Sequence, residues 1–255
     1  MGSRKTLKLS AIIAFGILLV YFLGCFFLPK VRRHLEERWY IQFDEGNYTG
    51  AERTAKIVYW LDPKAYAIIH ADIVIVDIMK GTVGIENGIS HAIDGLDEHN
   101  YSDWPLSNQK DILETKAALN AMAGNITLAG NQAWSYCQQS WPAQKTLASC
   151  LNFHIDFISY ALDRQRSVDL FAHVKLNAAL GVTSAPVLKY YEALALMAFD
   201  IDKARRLRDE LIHSDEFNEK MRDRYCAAAE YHVATQDDIA VCASTKSVPG
   251  IYSKW

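Results

Sequence analysis

The stretches Gly46–Pro63, GNYTGAERTAKIVYWLDP, and Gly124–Pro142, GNITLAGNQAWSYCQQSWP, are two copies of one pattern. Gly, Asn, Thr and two Ala recur at the same offsets, and each stretch closes on Pro. Gly46 and Gly124 each follow a helical run, where a residue that readily takes a positive φ ends a helix. The Asn beside each glycine tolerates the turn. Ala51 and Ala55 stand one helical turn apart on the next helix, as do Ala129 and Ala133. Small side chains on one face let that helix approach its predecessor closely. Pro63 and Pro142 then stop the second helix. The unit is a helical hairpin.

The helical period continues outward from these two copies. Residues 109–122 carry Ile112, Leu113, Leu119 and Met122 on one face. Residues 186–198, PVLKYYEALALMA, open with proline in a first turn, where it is tolerated. Residues 204–213 set five charged side chains around Leu207 and Leu211, and residues 217–234 keep Phe217, Met221, Tyr225 and Ala228 in phase. The run YAIIHADIVIVDIM, 66–79, is rich in β-branched residues and has strand propensity, but its length and place in the repeat favour helix. Phe199–Ala204, FDIDKA, reads as a further copy without the glycine. Spacing alone places two more, one opening at Asp163–Val168 and one around Gly81–Gly88.

The run Gly46-Asn47-Tyr48-Thr49-Gly50-Ala51, closed by Asp62-Pro63, resembles the second helix of the tetratricopeptide repeat, a helix-turn-helix unit of 34 residues. The resemblance extends over most of 34–243. It implies an all-α fold, an α-solenoid of such hairpins, with Gly46, Ala51, Pro63, Gly124, Ala129, Pro142 and Ala204 as structural positions. In that family the first helices line a concave groove that binds peptides. Carried over by position, the groove would present Glu36, Tyr40, Glu114, Ala118 and Lys189, with Tyr160 from a more divergent copy. These residues do not form the Lys/Asn carboxylate clamp of some family members.

Leu9–Leu28 contains no charged residue, and twenty helical residues rise about 30 Å, the thickness of a bilayer's hydrocarbon core. The run is longer than a signal-peptide core, so an uncleaved anchor is expected. Gly24-Cys25 also resembles a lipoprotein box, but Phe22 before it and Phe26-Phe27-Leu28 after it fit poorly. The resulting division is a basic tail 1–8, an anchor 9–29, a repeat domain 30–243 and a C-terminal tail 244–255. Basic residues flank the anchor on both sides, so the positive-inside rule does not orient it. The expected placement is a single pass through a bacterial inner membrane, with the domain in the periplasm. Cys137 and Cys150, and likewise Cys226 and Cys242, bracket turn signals between helices and could close in an oxidising compartment.

Arg4, Lys5, Lys8 and Lys30 are the charged residues of the first thirty, which leaves 23 basic against 30 acidic residues, a net charge of −7. That excludes a basic nucleic-acid footprint on the domain. No phosphate loop, dinucleotide fingerprint, His-Glu-x-x-His helix or Cys-x-x-Cys pair occurs, and no two of the eight His stand at i, i+4. Asp72 and Asp77 are expected at an exposed edge or turn. Neither metal, cofactor nor catalytic residue is assigned. The sequence points to a scaffold that binds proteins or peptides near the membrane. An enzyme with an unrecognised helical site and a cytoplasm-facing adaptor are the alternatives.

Overall fold

The computed structural model describes residues 28–233 except 99 and 162, together with the isolated positions 16 and 24. The expected anchor therefore lies almost wholly outside the described residues, as do Cys242 and the tail 244–255. Every described regular element is a helix, and among the described residues no helix is long and apolar enough to cross a membrane. The chain divides into two compact units, 1–66 and 67–255.

The first unit is a hairpin of α1 (28–44) and α2 (Tyr48–Leu61). Gly46 ends α1 at φ 73°, with its N–H on Phe43 O and the Asn47 N–H on Gln42 O. These two bonds form a Schellman closure, which satisfies the last carbonyls of the helix. Asn47 then caps α2 by accepting from Gly50 N–H at 3.0 Å. Ala51, Ala55 and Val58 are fully buried together with Trp39 and Phe43. The aromatic rings pack face to edge, Phe43 on Tyr48 at 5.4 Å between centroids. Pro63 does more than stop a helix. After the single extended residue Asp62 it opens α3 (Pro63–Lys80), since a proline in a first turn loses no helical hydrogen bond.

The second unit holds the rest of α3, α4 (Ile85–Asp97), α5 (Leu106–Met122), α6 (Ile126–Ser140), α7 (Leu147–Ile158), α8 (Arg164–Leu180), α9 (Ala185–Leu196), α10 (Ile201–Ile212) and α11 (Glu219–Val233). The β-branched run is helical because α3 is enclosed: Ile73, Val74, Ile75 and Val76 are all buried, although consecutive residues point in different directions. Burial on every side overrides strand propensity. Gly124, at φ 83°, ends α5 with the same pair of bonds as Gly46, from Gly124 N–H to Ala121 O and from Asn125 N–H to Asn120 O. Ala117 and Ala121 on α5 meet Ala129 and Ala133 on α6, sealed by Leu151 and Leu176.

The hairpins α5–α6 and α9–α10 are as the repeat pattern expects, but the helices between them are not. α8 packs on α5 and on α9, both first helices of hairpins, while α7 packs on α6 and α8. The expected copy opening at Asp163–Val168 makes α8 a second helix; α8 packs on α7 before it and α9 after it, and in addition on α5. Asp163 does open it, as an N-cap accepting from Arg166 N–H at 2.8 Å. A larger core runs from Ile155 and Ile158 through Phe171, Tyr190 and Leu194 to Tyr225 and Ala228.

Candidate functional site

α5, α7 and α8 bring three polar side chains to one buried point. Glu114 projects from α5, His154 from α7 and His173 from α8. Glu114 Oε1 accepts from His173 Nε2 at 2.7 Å and from His154 Nε2 at 2.8 Å. The two imidazoles meet edge to face with centroids 4.1 Å apart, and each is only 2 % exposed. The Nδ1 atom of neither ring has a hydrogen-bond partner.

Aromatic side chains wall the cluster. The Tyr136 hydroxyl lies 3.4 Å from His154 Nε2. Trp141, just past the end of α6, lies 4.8 Å from His154 and 5.3 and 6.2 Å from Phe153 and Phe157. Cys137 and Cys150 pair across the loop that carries Trp141, their Cα atoms 6.1 Å apart. Cys226 on α11 is also disulfide-bonded.

The electrostatics are those of a crowded, dry site. Burial and the neighbouring His173 push the His154 imidazole down to about 4, so it is neutral at pH 7. Burial opposes ionisation of Glu114, but His154 and the two hydrogen bonds hold its carboxyl below the usual range. Asp72 on α3 is buried, not at an exposed edge as its sequence position suggested, and accepts from Gln165 Nε2 at 2.9 Å. Burial raises its carboxyl to about 7, helped by Glu114 and Asp111. Asp169 is raised for the same reason, against the pull of Arg166 3.3 Å away.

No family model, curated protein or solved structure matches the chain. The site is therefore read from its own residues.

The positions expected to line a groove are dispersed. In the first unit, Glu36 pairs with Arg32 at 2.7 Å, and Tyr40 is half exposed against the edge of Trp39. In the second unit Ala118 is 1 % exposed, because α4, α6 and α8 surround α5, and Glu114 is committed to the histidines. Neither offers a surface to a partner. Lys189 is exposed and pairs with Glu210 at 2.7 Å. Tyr160 is exposed, with the Arg224 guanidinium 3.7 Å over its ring. Arg224 also binds Asp156 at 2.9 Å, which ties α11 to α7.

One surface was not anticipated. Phe153, Phe157 and Tyr160 are 45, 57 and 39 % exposed. At spacings of four and three residues they form a ridge along one face at the end of α7. Their period was visible in the sequence, but a core stripe has the same period.

Proposed function

We propose that the chain is a membrane-anchored scaffold of the tetratricopeptide-like type, which holds partner proteins close to a bacterial envelope membrane. The observation that carries this reading is the ridge of Phe153, Phe157 and Tyr160, three large aromatic side chains left exposed next to one another along one stretch of the chain. Aromatic side chains are the usual anchors of protein interfaces. Helices α6 and α8, which pack on α7, support the ridge.

Two features support the membrane placement. In the sequence the charge-free run 9–28 leads directly into Pro29 and Lys30 of α1. Arg32 of α1 reaches Asp62, just beyond α2, at 2.5 Å, so the end of α2 stands beside the first turns of α1. Trp60, 82 % exposed, and the exposed Tyr59 and Ile57 lie at that end, the side-chain types found at a lipid–water boundary. The pairing of Cys137 with Cys150 supports the oxidising side of the membrane. Confinement in two dimensions raises effective concentration, so a modest groove or ridge affinity suffices.

A photo-crosslinking residue at position 157 of the full chain in native membranes tests the proposal. A discrete set of partners, lost when Phe153 and Tyr160 become Ser, is the expected result. Recovery of abundant bystanders alone, unchanged by those substitutions, overturns it.

A further inference from the structure

The Glu114–His154–His173 cluster is foreign to a binding scaffold and costly to bury. A folded core tolerates buried polar groups when their hydrogen-bonding capacity is met, and buried charges when they are paired or bound to a metal. Here one carboxylate oxygen serves two imidazoles, at 2.7 and 2.8 Å, and both Nδ1 atoms are left unpartnered. Three possible ligand atoms, one from each of three separate helices, lie within 4.8 Å of one another.

The surroundings are rich in carboxyl groups. Asp72, Asp111 and Asp169 each interact electrostatically with Glu114, and Arg166 is the guanidinium that opposes them. Lys110 is a second cation beside Asp111, so carboxyl groups still outnumber cations around Glu114.

We propose that Glu114, His154 and His173 form a binding site for a divalent transition-metal ion of the zinc class. Two imidazole nitrogens and one carboxylate oxygen are a borderline donor set, which suits zinc and its first-row neighbours rather than the all-oxygen preference of magnesium and calcium. Bonds of about 2.0–2.1 Å to a tetrahedral centre set ligand atoms about 3.3 Å apart, so each Glu114–histidine contact lengthens by about half an ångström, while the two histidine nitrogens start within 4.8 Å of each other. Three protein ligands leave a fourth position open, and the Tyr136 hydroxyl lies beside His154 Nε2 to hydrogen-bond whatever fills it. In the bound state each ring carries its proton on Nδ1. No protein group receives those protons, so the site lacks the outer hydrogen bonds that tighten metal-ligating histidines. The affinity expected is that of an exchangeable site, weaker than that of a closed structural zinc.

The test uses the full chain in detergent, stripped with a chelator and titrated with Zn2+ alone against a chromophoric competitor, then with Co2+. One equivalent of Zn2+ per chain and intense visible Co2+ bands of a tetrahedral centre are expected. His173→Gln and Glu114→Gln should each weaken binding roughly 100-fold or more, since each deletes a ligand. His213→Ala, on an exposed histidine outside the cluster, should leave it unchanged. Circular dichroism reports whether each variant keeps its helices. Should the variants unfold, the stripped wild-type chain decides alone. No uptake of Zn2+ at micromolar concentration overturns the proposal, as does a weak octahedral Co2+ spectrum. Binding that survives both ligand substitutions in folded protein also overturns it, because the ion then sits elsewhere.

Discussion

Thr54 donates its hydroxyl to Gln42 Oε1 at 2.6 Å across the first hairpin, and Asn120 donates to Gln132 Oε1 at 3.1 Å between the corresponding positions of the α5–α6 hairpin. The partners stand twelve residues apart in both cases, four residues before the glycine and eight after it. A polar pair inside an alanine-lined interface fixes register, since sliding either helix leaves a buried amide unpaired. Asn120→Ala is therefore expected to destabilise the chain by about 1–3 kcal/mol, the cost of stranding a buried partner. A double-mutant cycle with Gln132→Ala should return a coupling of about 1 kcal/mol. Additive effects would show that the bond contributes nothing.

Ala129 is fully buried between α5 and α6. Ala129→Leu adds three carbons where the helices already touch, and is expected to cost about 1–3 kcal/mol through overpacking. Urea unfolding reads it. A neutral result would mean that the interface has a void at this position.

Asp72 sets a pH dependence. Its carboxyl ionises near 3.8 in an unfolded chain and near 7 in the fold. Between those values the folded chain keeps a proton that the unfolded chain has lost, so stability falls as pH rises through the window, by up to about 1.4 kcal/mol per pH unit for one such group. Asp72→Asn removes this term while leaving an oxygen for Gln165 Nε2. In chelator-containing buffer the variant should gain on the parent by a few kcal/mol from pH 5 to pH 8 in urea melts. An equal difference at both pH values would place the titration on another group.

The bridge between Cys137 and Cys150 closes a short loop, with a sequence separation of 13. Loop-closure entropy for a ring of this size is about 3 kcal/mol, and Cys137→Ala with Cys150→Ala is expected to lose about that much. The loss should appear in equilibrium unfolding with little change in helix content.

The parts of the fold legible in the sequence are those that local chemistry dictates. Gly46 and Gly124 need a positive φ, and the alanine faces need a close neighbour, so both hairpins could be read from single segments. The contact of α8 with α5 could not, because the spacing of Val168 speaks only of a second helix. Asp72 looked solvated because acids usually are, and the enclosure of α3 depends on helices far along the chain. The histidine cluster was hidden for the same reason. His154 and His173 lie on different helices from each other and from Glu114, and sequence spacing identifies ligands only when they share one element. Ala118 was misassigned to a groove because position in a repeat does not reveal that α4, α6 and α8 close over that face.

Trp141 is a party wall. Its indole touches buried His154 and also the exposed Phe153 and Phe157. The loop that holds it is clamped at both ends by Cys137 and Cys150. The aqueous ridge and the dry histidine chamber therefore share one partition, and a disturbance that loosens the cystine reaches both rooms at once.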